Sequence, residues 1–276
     1  MRMWRGGIIS RGLGDWMDVG PNPPYAQNTP IGLTSTAFFY LDLSLLEKMA
    51  RLLGKEEDAR GFALRAGEIR EAFSREYLDP KTGRYGTGSQ AAGAIALSFG
   101  LIPEEKRPAV LENLISDIQD RGGHTTAGDL GHRFVLLSLA EAGRSDMVAA
   151  MAAQTDHPSY GYQLLHGATS LTEFWDGPTR GHSQNHLMMG HLEEWLYRYL
   201  AGIEIDYSRP APDRIVIRPF PVAGVDSARA STRVREGEVA SSWERKGDEF
   251  LLTAVIPPNA AAVVAVPASS AAVVTE

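Results

Sequence analysis

Residues 183–203 read SQNHLMMGHLEEWLYRYLAGI, and the texture of the chain changes where they end. Leu187, His191, Trp195 and Tyr199 recur at four-residue steps, which predicts a long helix over 183–200 with Ser183 as its N-cap. After Ile203 that spacing gives way to short β-branched runs between Gly, Pro, Asn and Asp. The stretch thus divides the chain into a mainly helical part, 1–203, and a β tail, 204–276.

Upstream, helical spacing recurs. Residues 29–53 carry Leu33, Ala37, Tyr40, Leu41, Leu45, Met49 and Leu52 as a predicted inner face, stopped by Gly54. A second helix is expected over 56–78, with Phe62, Leu64, Ile69 and Phe73 inward, ending in the turn cluster DPKTG at 79–83. SQAAGAIALSF at 89–99 is small and apolar, as a tightly packed buried helix requires. Helices are further expected over 104–121, 128–142 and 145–154. These make six or seven helices in successive hairpins. Two connections, 11–28 and 156–182, are too long to be mere linkers and are rich in Gly, Trp, Asp and Tyr. In the tail, five strands are expected at 213–219, 227–234, 239–245, 249–256 and 262–266, which suggests a small antiparallel sandwich ending in a frayed SSAAVVTE.

Bulk properties narrow the function. Of 276 residues 43% are hydrophobic and 22% charged, enough for a sizeable core. The net charge of −7, without a basic block, argues against a nucleic-acid partner. No apolar run approaches the roughly 20 residues that span a bilayer, and no secretory signal precedes the helices, so a cytoplasmic chain with no membrane partner is expected. Cysteine is absent, which excludes disulfides and thiolate metal sites.

The densest run of reactive side chains is HGATSLTEFWDGPTRGHSQNH at 166–186. Glu173 sits among Thr169, Ser170, Thr172, Phe174 and Trp175. A carboxylate against aromatic walls can have its protonation tuned by desolvation, and aromatic rings suit the apolar faces of sugars. The bland alternative makes Glu173 a turn residue and Trp175 core. His182 and His186 are four apart but lack the HExxH pattern, so neither a metal nor a cofactor is expected. Asn185 and His186 would instead lie in a first helical turn beside Glu173, placed to bond a substrate. In GLGDWMDVGPNPPY, Asp15, Trp16 and Asp18 are either a sugar-stacking ring with two hydroxyl-binding carboxylates or a turn over a buried tryptophan. His124 and Asp129 in GGHTTAGDLGHRF form a third candidate cluster, with Thr126 a possible helix cap.

At these residues the chain resembles the bacterial α-L-rhamnosidases, the six-hairpin, (α/α)6-barrel glycosidases of glycoside hydrolase family 78. The blocks that carry the likeness are GLGDWMD at 12–18, SQAAGAIALSFGLIP at 89–103, TTAGDLGHRFVLLSLAEAG at 125–143, YGYQLLHGATSLTEFWDG at 160–177, the 183–203 stretch, and IVIRPFP at 215–221. The resemblance implies removal of terminal α-L-rhamnose with inversion, with a rhamnose-containing glycoside as partner. Glu173 would be the base that activates water. It also implies that His186 contacts the sugar, that Asp15 and Trp16 line the pocket, and that Trp175 lies close to the base. The family's general acid belongs to a DERLGWTGD-like block with no counterpart here, and about 200 helical residues are too few for twelve helices of about 11–12 residues each plus loops. The expectation is a C-terminal portion: a partial barrel over 1–203 and a β-sandwich over 204–276. The alternatives are a non-catalytic sugar-binding remnant and a six-hairpin glycosidase for another sugar.

Overall fold

The structure, a computed structural model, describes residues 4–21, 26–181, 183–209, 213–268 and 274. His182 and all of the SSAAVVTE tail but Val274 fall outside the described residues. Two compact units are present. One comprises the chain up to Ala142 with Ala150–Met189, the other Gly143–Ala149 with Gly190 onward.

The first unit opens with a two-residue antiparallel pair, β1 (Trp4–Arg5) and β2 (Ile8–Ile9). Two long helices follow, α1 (Ile31–Leu52) and α2 (Glu56–Tyr77), which pack against each other along Leu43, Ala66 and Ile69. Then come α3 (Gln90–Ser98), a 3-10 turn running into α4 (Arg107–Asp120), α5 (Gly131–Glu141), α6 (Ser145–Ala152), of which 145–149 belong to the second unit, and two short helices, α7 (Tyr160–Leu165) and α8 (Gly177–Arg180). The last two sit inside the long second loop, which is therefore folded rather than open. The helix α3 is the centre of this unit. Ser89 caps it, accepting from the Ala92 amide at 3.3 Å, and Ala91, Ala92, Ala94, Ile95 and Ala96 are all essentially inaccessible. The run of alanines is what allows close approach: Ser138 on α5 donates to the Ala94 carbonyl at 3.2 Å.

Several expectations need correction. The predicted inner face of α1 holds at Leu33 and Ala37, but Leu45, Met49 and Leu52 are exposed, and so is Leu64 on α2. The four-residue stepping continues along α1, while its packing on α2 runs through Leu43 with Phe39 and Tyr40. The helix expected over 183–200 is broken. Residues 183–186 are irregular because their backbone is bound to residues 171–173, and a 3-10 turn, Leu187–Met189, closes the first unit.

In the second unit α9 (Leu192–Trp195) runs directly into a π-helical turn, Leu196–Leu200, closed by the Ala201 amide on the Leu196 carbonyl at 2.8 Å. Six strands follow: β3 (Ile203–Ile205), β4 (Ile215–Ile217), β5 (Ser227–Val234), β6 (Gly237–Lys246), β7 (Glu249–Val255) and β8 (Ala262–Val264). They form two three-stranded sheets, ordered β3-β4-β8 and β5-β6-β7. The second is wholly antiparallel, with Lys246 opposite Glu249 across Gly247-Asp248. In the first, β8 pairs parallel to β4, so the tail is not purely antiparallel as expected. Alternation fixes each sheet's face: Ile203, Ile215, Ile217 and Val239 make one buried cluster with Ala230, Val234 and Leu252 packed on it. Trp243 anchors β6, donating from Nε1 to the Leu200 carbonyl at 2.7 Å.

The contrast between α3 and the outer hairpin is measurable. Ile95→Ala, at a fully buried site, is expected to cost about 2–5 kcal/mol in urea unfolding. Leu64→Ala, at an exposed one, should stay within about 0.5 kcal/mol. Equal losses would contradict this placement of the core.

Candidate active site

Asp15, Trp16 and Trp175 are all bonded to one short segment, Thr125 to His132. The loop 12–18 is held on it from one side. Asp15, fully buried, accepts from the Gly128 amide at 3.0 Å and from the Gly131 amide at 2.7 Å. The Trp16 carbonyl accepts from the Asp129 amide at 2.7 Å, and the Thr126 carbonyl from the Val19 amide at 3.0 Å. α5 begins at Gly131 without a side-chain cap, and Asp15 takes up the Gly131 amide that the helix start leaves unpaired. Both glycines are demanded by the approach. A Cβ at Gly128 would stand 2.0 Å from the Trp16 carbonyl, and one at Gly131 would stand 2.3 Å from the Ala91 Cβ.

From the other side the TEFW segment is pinned to the same strip. Trp175, 2% exposed, donates from Nε1 to the Ala127 carbonyl at 3.2 Å and meets the His132 and Tyr160 rings edge-on at 4.9 and 5.1 Å. His132 is bound in turn by Thr125 and by the Tyr160 hydroxyl, which itself donates to the Met189 carbonyl at 2.6 Å. Thr172 Oγ1 and Gln163 Nε2 both donate to the Phe174 carbonyl. Glu173 stands between these anchors, its side chain half-buried. Its amide donates to the Ser183 carbonyl at 3.0 Å, the His186 amide donates to the Leu171 carbonyl at 2.9 Å, and Ser170 donates to the Gln184 carbonyl.

The structure therefore brings Glu173, His186 and the exposed Asn185 together through one backbone pairing, and sets Trp175 and Asp129 behind them. His186 keeps a buried Nδ1 without a partner among the described residues. Trp16 is half-buried, on the loop that the segment holds. Asp15 and Asp18, read from sequence as carboxylates for sugar hydroxyls, are instead buried and committed to backbone amides. Asp18 takes those of Gln27 and Asn28, the latter at 2.7 Å, and so closes its own loop. His124 lies apart in bonding: its ring nitrogens meet the Arg121 carbonyl at 3.0 Å and the Asp156 carboxylate at 2.9 Å. Sequence reasoning did not find His132 and Tyr160, because nothing local marks two residues 28 apart as partners. No group of three or more His, Cys, Asp or Glu that could hold a metal is present among the described residues, and no helix there is long and apolar enough to cross a membrane.

Burial raises three carboxyl groups of this region above the usual carboxylate range, Asp15, Asp18 and Asp129. Burial pushes the Asp15 pKa up to about 7 against the pull of the Gly128 and Gly131 amides, with the Asp18 charge adding to the rise. Burial pushes Asp129 up to about 7 as well, reinforced by the charges of Asp15 and Glu173. A carboxyl group whose folded pKa lies above its unfolded value stabilises the fold below the unfolded value, near 4, and loses that contribution as pH rises through about 7. Urea midpoints of the chain should accordingly fall between pH 4 and 8, and Asp129→Asn should flatten part of that slope. A slope that rises over this range, or one unaltered in Asp129→Asn, would contradict the raised values.

Comparison with known proteins shows the family. Residues 2–200 match the bacterial alpha-L-rhamnosidase six-hairpin glycosidase domain, and residues 202–276 match the bacterial alpha-L-rhamnosidase C-terminal domain. An α-L-rhamnosidase of Streptomyces avermitilis is 33% identical over 265 residues, 93% of this chain and 25% of that protein. One from Formosa agariphila is 30% identical, over 92% of this chain and 28% of its own length. In solved structures, the Streptomyces avermitilis enzyme complexed with L-rhamnose superposes with a TM-score of 0.86 at 31% identity, over 97% of this chain and 26% of that one. The α-L-rhamnosidase from Dictyoglumus thermophilum does so with 0.87 at 32%, over 96% and 30%. The chain thus spans about a quarter of the length of the curated relatives it matches. A helical six-hairpin domain followed by a small sheet domain, it belongs to the bacterial α-L-rhamnosidase family.

Proposed function

We propose that the chain contributes the water-activating side of an α-L-rhamnosidase active site, in an enzyme that removes terminal α-L-rhamnose from glycosides with inversion. The carrying observation is the placement of Glu173: a half-exposed carboxylate on the family's matched segment, its flanks bolted to the buried strip 125–132 by Trp175 and to residues 183–186 by backbone pairing. A base must hold one position relative to the anomeric carbon, and this bracing supplies that rigidity.

In the proposed reaction Glu173 takes a proton from a water that attacks the anomeric carbon from the face opposite the aglycone. His186 and Asn185, on the paired segment, and Trp16, on the clamped loop, are assigned to the sugar. Asp15, Asp18 and Trp175 shape the pocket from behind, and His124 supports its rim through Asp156. The proton donor to the leaving oxygen is not assigned to any of the 276 residues. In architecture, residues 1–203 are read as part of an (α/α)6 barrel and 204–276 as a β-sandwich domain closed around the Ile203, Ile215, Ile217 and Val239 cluster. The L-rhamnose bound by the Streptomyces avermitilis relative supports the choice of sugar.

Glu173→Gln keeps the size and loses the base. Measured on the protein as its host makes it, the change should lower kcat on 4-nitrophenyl α-L-rhamnoside by about 10²–10⁴ while L-rhamnose binding stays measurable by calorimetry. Azide should restore turnover and give a β-configured glycosyl azide. Activity near that of the parent protein would refute the assignment.

A further inference from the structure

One buried acid in the site is left unused by this reading. Asp129 is 5% exposed, and its Oδ1 has no hydrogen-bond partner among the described residues. Asp15, fully buried on the adjoining 12–18 loop, has both its oxygens met by backbone donors, the amides of Gly128 and Gly131. No described donor serves Asp129 Oδ1 in that way, and a buried charge without donors is the costlier state. Its place is fixed: its amide is held by the Trp16 carbonyl, and it sits two residues beyond Ala127, whose carbonyl holds Trp175, itself two residues beyond Glu173. The two acids therefore lie on neighbouring segments joined by a direct bond, one sealed and one half-open to solvent.

Resting on the role proposed for Glu173, we infer that Asp129 is its positioning partner: a carboxyl group kept as the neutral acid, so that the negative charge of the pair resides on Glu173. Two like charges in so dry a place disfavour each other, and the proton settles on the group that solvent reaches least. Asp129 is too enclosed to touch a substrate. It acts through Glu173: while Asp129 stays protonated, it sets no second negative charge beside the proposed base. The titratable groups facing it are Glu173 on the TEFW segment and Asp15 on the 12–18 loop, with Asp18 behind Asp15. On its own segment His132 is engaged by Thr125 and Tyr160.

Carbon-13 NMR of Asp and Glu carboxyl groups in the intact chain tests this without turnover. Asp129, assigned by loss of its signal in Asp129→Asn, is expected to titrate near 7. In Glu173→Gln, which leaves Asp129 in place, its midpoint should drop by roughly half a unit or more, while the Asp15 midpoint moves less. An Asp129 midpoint near 4, or one unchanged in Glu173→Gln, would overturn the pairing. Should Asp129→Asn not fold, Glu173→Gln with the remaining assignments still decides it. The result separates from the proposed reaction: coupled titrations with undiminished hydrolysis in Glu173→Gln would sink the base role alone, and uncoupled titrations with lost hydrolysis would sink the pairing alone.

Discussion

The bonds from the Asp15 carboxylate to the Gly128 and Gly131 amides are the constraint on which the site depends. They join segments 113 and 116 residues apart in sequence, and they do so with a fully buried anion-forming group. Burying a carboxylate is unfavourable unless donors replace its water, and the two amides, presented just ahead of a helix, are well suited to that. Everything near follows from this clamp. The loop must approach so closely that residues 128 and 131 can bear no side chain, and the Ala127 carbonyl just before them receives Trp175.

The same economy of donors explains why neighbouring acids behave differently. Asp18 accepts from amides of its own loop and Asp15 from those of the strip 128–131, whereas Asp129 Oδ1 has no partner among the described residues. Glu173, half-exposed, can be hydrated where the other three cannot. One cluster of carboxyl groups thus contains structural anchors, a sealed acid and an open carboxylate, and the distinction lies in donor supply and solvent access rather than in residue type.

Much of this was legible in the sequence, and the part that was not has physical reasons. Helix positions could be read from apolar spacing and caps, as with Ser89 at the head of α3. The buried face of α1 could not be followed past its middle, because spacing reports that a face exists and not where its partner ends. Residues 183–200 carried a helical pattern, yet their first turn is taken by backbone pairing with 171–173, a tertiary contact that local propensity cannot see. The parallel pairing of β4 with β8 was hidden for a related reason, since alternation fixes a strand's face and not its direction. At the site, GLGDWMD and TEFWDG were recognisable as blocks, but the sequence gives no sign that Asp15 faces amides while Glu173 faces solvent.

That difference in facing sharpens what a conserved-looking motif can mean within one chain. Asp15 and Glu173 both sit in polar, aromatic loops and both read as ligands for a sugar. A carboxylate whose oxygens are each met by a backbone amide has little left to offer a hydroxyl, and moving it would release two donors into a dry interior. A carboxylate whose backbone is fixed on both sides, with its side chain half in solvent, loses almost nothing by engaging a water or a substrate. The first arrangement suits a scaffold, and the second suits the role proposed for Glu173. The bond from Trp175 to Ala127 sets them on adjoining strips, so that the rigidity of the first is passed to the second.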